Sequence, residues 1–391
     1  MGFSSLDDLV TQISAGKYLR QDHSKITNPV ATAGGWHCLA SASGYPAGTA
    51  YPSTQDLVWQ ACTETHGDAA GAAKFGIPHG GNPGGTATKH VVNVGVNFVA
   101  AAGAPWQLKL VDIQGYYRMS GATVTGTGAR TCINSEVVTF NDGTGYLRMV
   151  STSDWNSGTK CQFSTAGALP IGISALTDYW LTRVTSTTYK ISTTYAFFIA
   201  GTYVAYTDNG TPANTMKSYP GRYLNGVGCQ AFWCVQTAVT AGAPTLSASA
   251  YDSTTSTYGA GAQAFAGTPT FGAAADGYAL RILHSGNAAG RYGPFLPLAS
   301  GDLGIARVNS FTWSAGTPYS GGGPVALVIC RPLLDITIPV TGMWSERDMV
   351  NQLPSLPQVQ DGACLAWLMF GTGATTTNSP LNGAIDFAYG G

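Results

Sequence analysis

The amino-acid sequence predicts an all-β protein, and two observations lead to that prediction. Short runs of β-branched and aromatic residues recur along most of the chain, and turn residues separate each run from the next. Within the runs, apolar side chains alternate with polar or small ones, as where Val92, Val94 and Val96 share one face of a strand. We expect a β-sandwich or jelly-roll-like main domain, with a small β domain inserted into it and a short helix near each end.

The first predicted element is a helix over residues 4–14. Its apolar residues recur at helical spacing and form one stripe, Leu6, Leu9, Val10 and Ile13. Ser4 or Ser5 can cap the N-terminus, and Gly16 can end the helix. We interpret residues 1–28 as a helix and arm that anchor the chain on a partner. The candidate interface residues in this segment are Leu6, Leu9, Val10, Ile13, Tyr18 and Arg20.

Strands are predicted through the rest of the chain wherever an alternating or apolar run lies between turn signals. The predicted strands cover residues 35–41, 56–62, 89–100, 105–117, 136–140, 145–151, 178–184, 188–192, 202–207, 229–237, 245–251, 277–284, 308–316, 324–333, 336–340 and 361–371. The sequences NDG at 141–143 and DNG at 208–210 are hairpin signals.

The second predicted helix begins at Ser345 and ends before Pro354, with Asp348 in an imperfect capping box. It concentrates charge in Glu346, Arg347 and Asp348, which fits either a salt bridge to another subunit or a solvated helix face. Further candidate contacts are an Arg331–Asp335 pair and a loop with Arg291, Tyr292 and Phe295.

Charge is scarce in this chain, because only 10% of its 391 residues are Asp, Glu, Lys or Arg, against about 25% in an average globular protein. Either partner chains cover much of the surface, or hydroxyl and amide groups form the solvent face; charge depletion at interface cores favours the first reading. The net charge of −1 and the lack of a Lys/Arg run argue against nucleic-acid or anionic-membrane binding. We expect neither a signal peptide nor a membrane span.

No residue pattern indicates a catalytic or metal site. The eight cysteines include no CxxC pair and are interpreted mostly as small buried apolar residues, with disulfides left open for a few. The spacing of His79 and His90 matches no zinc pattern. Carboxylates beside aromatic residues, at 154–155 and 178–180, fit glycoside hydrolysis only superficially, because turns and hairpins also explain them. We therefore expect no catalytic residue, no metal and no cofactor.

Residues 136–212 contain an ordered pattern made by Leu169, Pro170, Gly172, Thr177, Tyr179, Thr188, Tyr189, Lys190, Ile191, Ser192, Asp208, Gly210 and Thr211. This pattern resembles a small β module that recurs in structural proteins of tailed bacteriophages. That module reads LP-x-GL-x-x-G-T-x-Y-x-V, then T-x-x-T-F-K-L-S, then D-x-G-T-G. Ile173 replaces the usual Leu, and Leu176 replaces the Gly before Thr177. The resemblance implies an inserted module over residues 131–216, of a kind found in capsid, tail and fibre proteins alike.

The flanking residues, 1–130 and 217–391, contain a second set of motifs, among them IPHGGN at 77–82, TKHVVNVGV at 88–96, APWQLKLVDIQGYY at 104–117 and VALVICRPLLDITIPVTGMWSERDMVNQL at 325–353. With these motifs the flanks look like a family of virion structural proteins of tailed phages. On this resemblance, residues 29–130 and 217–391 form one discontinuous main domain. It implies a non-enzymatic protein located in the virion, most simply a capsid decoration or cement (minor capsid) protein. Its partners would be the major capsid protein or other virion proteins, together with further copies of itself. The alternatives are a tail, collar or host-adsorption protein, or a polysaccharide-degrading virion enzyme.

Overall fold

The computed structural model describes residues 3–27, 35–45, 58–59, 76–80, 87–99, 105–118, 127–131, 135–151, 160–185, 187–211, 214–219, 223, 226–235, 245–252, 263–264, 280–283, 293–298, 301–314, 325–352, 356–360, 363–371 and 379–390. Helices α1 (Leu6–Ser14) and α2 (Tyr195–Ala200) and the 3₁₀ turn Val350–Gln352 are short. The first strands are β1 (Tyr18–Thr27), β2 (Gly35–Cys38), β3 (Gly44–Tyr45), β4 (Val58–Trp59), β5 (Thr88–Phe98), β6 (Trp106–Arg118), β7 (Thr127–Thr131), β8 (Ser135–Asp142), β9 (Leu147–Val150), β10 (Lys160–Ser164), β11 (Tyr179–Arg183) and β12 (Thr188–Ser192). They are followed by β13 (Asn214–Tyr219), β14 (Gln230–Val235), β15 (Thr245–Asp252), β16 (Gln263–Ala264), β17 (Ile282–Leu283), β18 (Ile305–Ser314), β19 (Val325–Ile338), β20 (Ser345–Asp348), β21 (Gln358–Val359), β22 (Leu365–Gly371) and β23 (Ser379–Gly390).

The strands form four antiparallel assemblies. The terminal sheet has the order β20-β5-β23-β1-β3, with β21 also on β5. The central sheet has the order β17-β14-β19-β6-β22-β2, with β4 on β6, and a bridge between His37 and Arg281 links its two ends. The side sheet is β16-β15-β18-β7, and β8 to β13 close a barrel in the order β10-β11-β12-β9-β8-β13. The all-β prediction is confirmed.

The central sheet is buried on both faces, so its strands are apolar at consecutive positions. One core packs it against the terminal sheet and includes Val94, Trp106 and Trp367. Another core packs it against the side sheet through residues such as Trp233 and Leu246. A third core lies on the opposite face of the central sheet. This face-to-face packing gives the chain its β-sandwich character.

The second predicted helix is wrong. Residues Ser345–Asp348 form strand β20, which pairs with β5, and Val350–Gln352 form only a 3₁₀ turn. Alternate side chains of Ser345–Asp348 are exposed, as on a strand with one covered face. Asp348 accepts a hydrogen bond from the main-chain N–H of Val350 and so caps the turn. The short helix is thus confirmed at the N-terminal end alone.

The segment interpreted as an N-terminal arm is in part an integral strand. Helix α1 begins after Ser5, whose side chain caps it, as expected. The following residues form β1, which pairs with β23 over all ten positions and with β3 at Ser24 and Lys25. The sequence pattern did not reveal β1 because polar side chains face the core there. His23 accepts a hydrogen bond from the indole of Trp367, and Lys25 donates to the carbonyl of Ala42.

The barrel confirms one of the two predicted hairpin signals and contradicts one predicted strand. The NDG signal is confirmed as the β8–β9 hairpin, in which Asp142 accepts from the N–H groups of Thr144 and Gly145. The DNG signal makes a turn but joins no hairpin, because β13 pairs with β10 and β8. The strand predicted at residues 202–207 is wrong, since it is represented only by a bridge at Ala205 after α2. The domain division at residues 131 and 216 stays a prediction.

The described cysteines are buried, which confirms their interpretation as core residues. They are Cys38, Cys161, Cys229, Cys234, Cys330 and Cys364. Burial raises the pKa of the Cys161 and Cys330 thiols well above the usual value, so they stay protonated at neutral pH. Cys62 and Cys132 lie outside the described residues.

His23 makes the stability of the fold depend on pH. Burial, and then the nearby charge of Lys25, lower the pKa of His23 from 6.5 to about 4. The unfolded chain therefore binds a proton below pH 6.5 that the native chain does not, and stability falls as pH drops from 6.5 to 4. We expect this one group to contribute about 3 kcal/mol of that loss. Urea unfolding at pH 7 and pH 4.5 measures it.

His23→Gln is expected to remove most of that pH dependence, since Gln keeps an acceptor for Trp367 and cannot be protonated in this range. The comparison variant is His90→Gln, which changes a second buried histidine whose pKa burial also lowers and should leave the contribution of His23 in place. An unchanged pH slope in His23→Gln would contradict this account of the core.

Candidate interaction surface

Five of the sequence-predicted interface residues lie on strands of one sheet, the terminal sheet. Tyr18 and Arg20 belong to β1, and Glu346, Arg347 and Asp348 to β20 at its edge. Strands β23 and β5 lie between them and supply Asp386 and Asn93. We call the exposed side of this sheet the outer face and define it by Tyr18, Arg20, Asn93, Trp344, Glu346 and Asp386.

Polar side chains on the outer face form a connected line across the four strands. The Asn93 amide donates to Glu346 Oε1 at 2.6 Å and to Asp386 Oδ2 at 3.2 Å. Arg20 Nη1 lies 3.8 Å from Asp386 Oδ2. Burial, and then the hydrogen bond to Asp386, raise the pKa of Tyr18 to about 12, so the Tyr18 hydroxyl stays a donor. The line fixes the positions of groups from both ends of the chain.

The indole ring of Trp344 packs against this face because residue 95 is glycine. Three atoms of the ring lie within 3 Å of the position that a β-carbon on Gly95 would occupy. Any side chain at that position would displace the ring. The ring thus covers Gly95, while Trp344 remains 47% exposed.

An apolar patch adjoins Trp344. The main-chain N–H of Gly342 donates to the carbonyl of Phe98, which places the turn before β20 beside the end of β5. Around this contact lie Val99, Val340 and Met343, each about half exposed. We call Val99, Val340, Met343 and Trp344 the corner patch. It puts four large apolar side chains in solvent at one edge of the sandwich.

The charged residues beside the corner patch contact other partners than those predicted from the sequence. Glu346 and Asp348 are exposed, and Arg347 donates to the main-chain carbonyl of Asp335. The Asp335 carboxylate pairs with Lys109 at 2.8 Å. The predicted Arg331–Asp335 pair is wrong, because Arg331 lies 4.2 Å above the ring of Tyr223 instead.

The remaining candidate residues divide between core and surface. In α1 the predicted stripe is split, because Leu9 is buried and Ile13 packs on the core, whereas Leu6 and Val10 are exposed. Phe295 is partly buried and packs against a core. Arg291 and Tyr292 lie outside the described residues.

In the barrel, several residues that carry the phage-module resemblance have structural roles. Thr211 and Ala168 exchange hydrogen bonds, and Asp208 accepts from the N–H of Gly210. The hydroxyl of Tyr179 accepts from the N–H of Ser174. Through such contacts these residues hold the turns and loops of the barrel in place.

Asp178 and His79, two of the residues singled out in the sequence, have structural partners. Asp178 pairs with the buried Lys160 at 2.9 Å, while residues 154–155 lie outside the described part. His79 is fully buried, with Nδ1 2.9 Å from Lys89 Nζ. Within the described ranges, no group of three or more His, Cys, Asp or Glu residues is arranged to hold a metal. Among the described residues, no helix is both long enough and apolar enough to cross a membrane.

No protein-family model matches this chain, and no curated protein sequence matches it either. Inference about its function therefore rests on the residues themselves. The outer face and the corner patch are the features that bring the largest number of candidate residues together.

Sequence reasoning missed Asn93, Asp386 and the whole corner patch. Asn93 could have been found, because it alternates with the buried valines of β5 and so must face outward. Asp386 carried no such signal, since the glycines and small residues of β23 obscure its alternation.

Proposed function

We propose that this chain is a non-enzymatic structural protein of a tailed-bacteriophage virion, a capsid decoration or minor capsid protein that binds the shell and stabilises it. The observation that carries the proposal is the corner patch, where four exposed apolar side chains adjoin a charged edge strand. An apolar centre with a polar rim is the usual anatomy of a protein interface.

The energetics of such a contact suit a repeated lattice. A specific interface buries about 1,600 Å² in total, and a few well-placed aromatic residues dominate its binding energy. Trp344 is the candidate for that role, because its ring is held in place before binding. Repetition over a shell would multiply a modest affinity at each site.

The low charge of the chain and the phage-module resemblance support the same proposal. With only 10% charged residues, a surface covered in part by partner chains is a simpler expectation than a fully solvated one. In α1, the exposed Leu6 and Val10 offer a second contact.

One observation favours a tail, collar or host-adsorption protein as the second candidate. Trp344 presents a flat aromatic ring beside carboxylate and amide groups, which is also suitable for stacking on a sugar ring. A polysaccharide-degrading enzyme has less support, because the candidate carboxylate Asp178 already pairs with Lys160.

The test is add-back of purified chain to particles that lack it. Trp344→Ala is expected to lower the bound amount at least tenfold, because it removes the central apolar contact. The matched control is Val137→Ala, which truncates an exposed valine on the barrel and should bind like wild type. Equal binding of both variants would show that the corner patch is not the docking surface.

A further inference from the structure

The outer face carries an excess of negative charge. By strand alternation, the carboxylates of Asp22, Glu346, Asp348 and Asp386 lie on it, and among the described residues of these strands only the guanidinium of Arg20 opposes them. The other basic residues of these strands are directed to main-chain carbonyl groups: Lys25 to Ala42, Lys89 to His79 and Arg347 to Asp335. The face is therefore electrostatically suited to a cation.

A second observation also indicates a missing donor. Asp386 is only 5% exposed, and its Oδ1 accepts no hydrogen bond from the described residues. The same holds for Oδ1 of Asn93 and Oδ1 of Asn97, both on β5. Buried acceptors are normally matched by donors, and here acceptors outnumber donors on neighbouring strands.

Trp344 adds a preference for a particular kind of cation. Its indole ring packs against Gly95, the residue that pairs with Glu346 across the two strands. Tryptophan is the best aromatic partner for a cation placed over its ring. A guanidinium or ammonium group above Trp344 would also meet the carboxylate of Glu346.

We propose that the outer face binds an arginine or lysine side chain from a segment of a partner protein, with apolar neighbours of that residue packing on the corner patch. This inference rests on the proposed function, in which the partner is a shell protein. It names the chemistry that the partner must present, a basic residue flanked by apolar ones.

The arrangement does not fit a metal ion as the occupant. The Asn93 amide stands between Glu346 and Asp386 and donates to both. A metal would need these oxygens to converge on one point, and a donor group lies there instead. A neutral saccharide would use the ring of Trp344 but would leave the excess of negative charge without a role.

The experiment measures binding of three fluorescently labelled peptides to the full chain by polarisation. Their sequences are GSLRVLRGS, GSLQVLQGS and GSLEVLEGS, so that only charge differs. We expect the basic peptide to bind at least tenfold more tightly than the neutral one, and its binding to weaken as salt is raised. The acidic peptide should bind more weakly than the neutral peptide.

Two variants test whether the basic peptide binds at the outer face. Glu346→Gln and Trp344→Ala should each weaken binding of the basic peptide at least fivefold. The matched control Asp7→Asn removes one exposed charge on α1 and should leave binding unchanged. Equal binding of the basic and neutral peptides, or an unaltered affinity in Glu346→Gln, would overturn the inference. Displacement of the basic peptide by a soluble oligosaccharide or by Ca²⁺ would also overturn it, in favour of that ligand.

Failure of this inference can be told apart from failure of the proposed function. A chain that is present in particles but does not prefer the basic peptide would refute the cationic partner alone. A chain that binds the basic peptide but is absent from particles would refute the virion role alone.

Discussion

Deletion of residues 1–27 is expected to abolish the cooperative fold of the main sandwich. The deletion removes β1, which pairs with β23 along its whole length. It also leaves the indole of Trp367 without His23 as an acceptor and exposes part of the core. Because total stabilities are only about 5–15 kcal/mol, losing an interior strand exceeds what the fold can tolerate. Thermal unfolding followed by near-UV circular dichroism measures the result.

The control for this deletion changes the same segment without touching β1. The double variant Leu6→Ser and Val10→Ser alters only exposed positions of α1 and should unfold within about 1 kcal/mol of wild type. A wild-type-like transition in the deleted chain would mean that β1 is dispensable and that residues 1–27 act as an arm after all.

The second large effect is expected in the barrel, where Gly210→Ala should cost about 3 kcal/mol. Gly210 has a positive φ of 63°, a conformation strained for any residue with a β-carbon. A β-carbon there would also lie 2.6 Å from the carbonyl oxygen of Ala168 and 2.7 Å from the nitrogen of Pro170. Both are main-chain atoms, so the clash cannot be relieved by moving a side chain.

Gly145→Ala is the matched control for this substitution. Gly145 also has a positive φ, of 88°, but no atom lies within 4 Å of its would-be β-carbon. We expect only the conformational strain, about 1 kcal/mol. Hydrogen exchange of the barrel strands compares the two variants, and equal protection in both would contradict the close packing of residues 168–170 against Gly210.

The parts of the fold that could be predicted from sequence are those whose pattern is local. Strand β5 was predicted because its valines alternate with outward-facing residues, and the start of α1 because Ser5 and the spacing of apolar residues mark it. Strand β1 was missed because its inward positions hold His23 and Lys25, whose polar groups are satisfied only by contacts formed in the folded chain.

Only separate residues of the candidate site could be predicted, because their grouping also depends on contacts formed in the folded chain. The density of charge identified Glu346 and Asp348, although on the wrong kind of element. Their neighbours depend on pairing between strands far apart in the chain, as when β1 and β20 come to share a sheet. No local pattern reports such pairing, and so the sequence could not group Tyr18 with Glu346.

The most direct test of the central claim is the number of copies of this chain in each purified phage particle, counted by quantitative mass spectrometry against the major shell protein. The proposed decoration role predicts a copy number comparable to that of the shell subunits. A count in the low tens or fewer would indicate a tail, collar or vertex protein instead. Absence of the chain from the particles would contradict the structural role and would make an enzymatic function the next hypothesis to test.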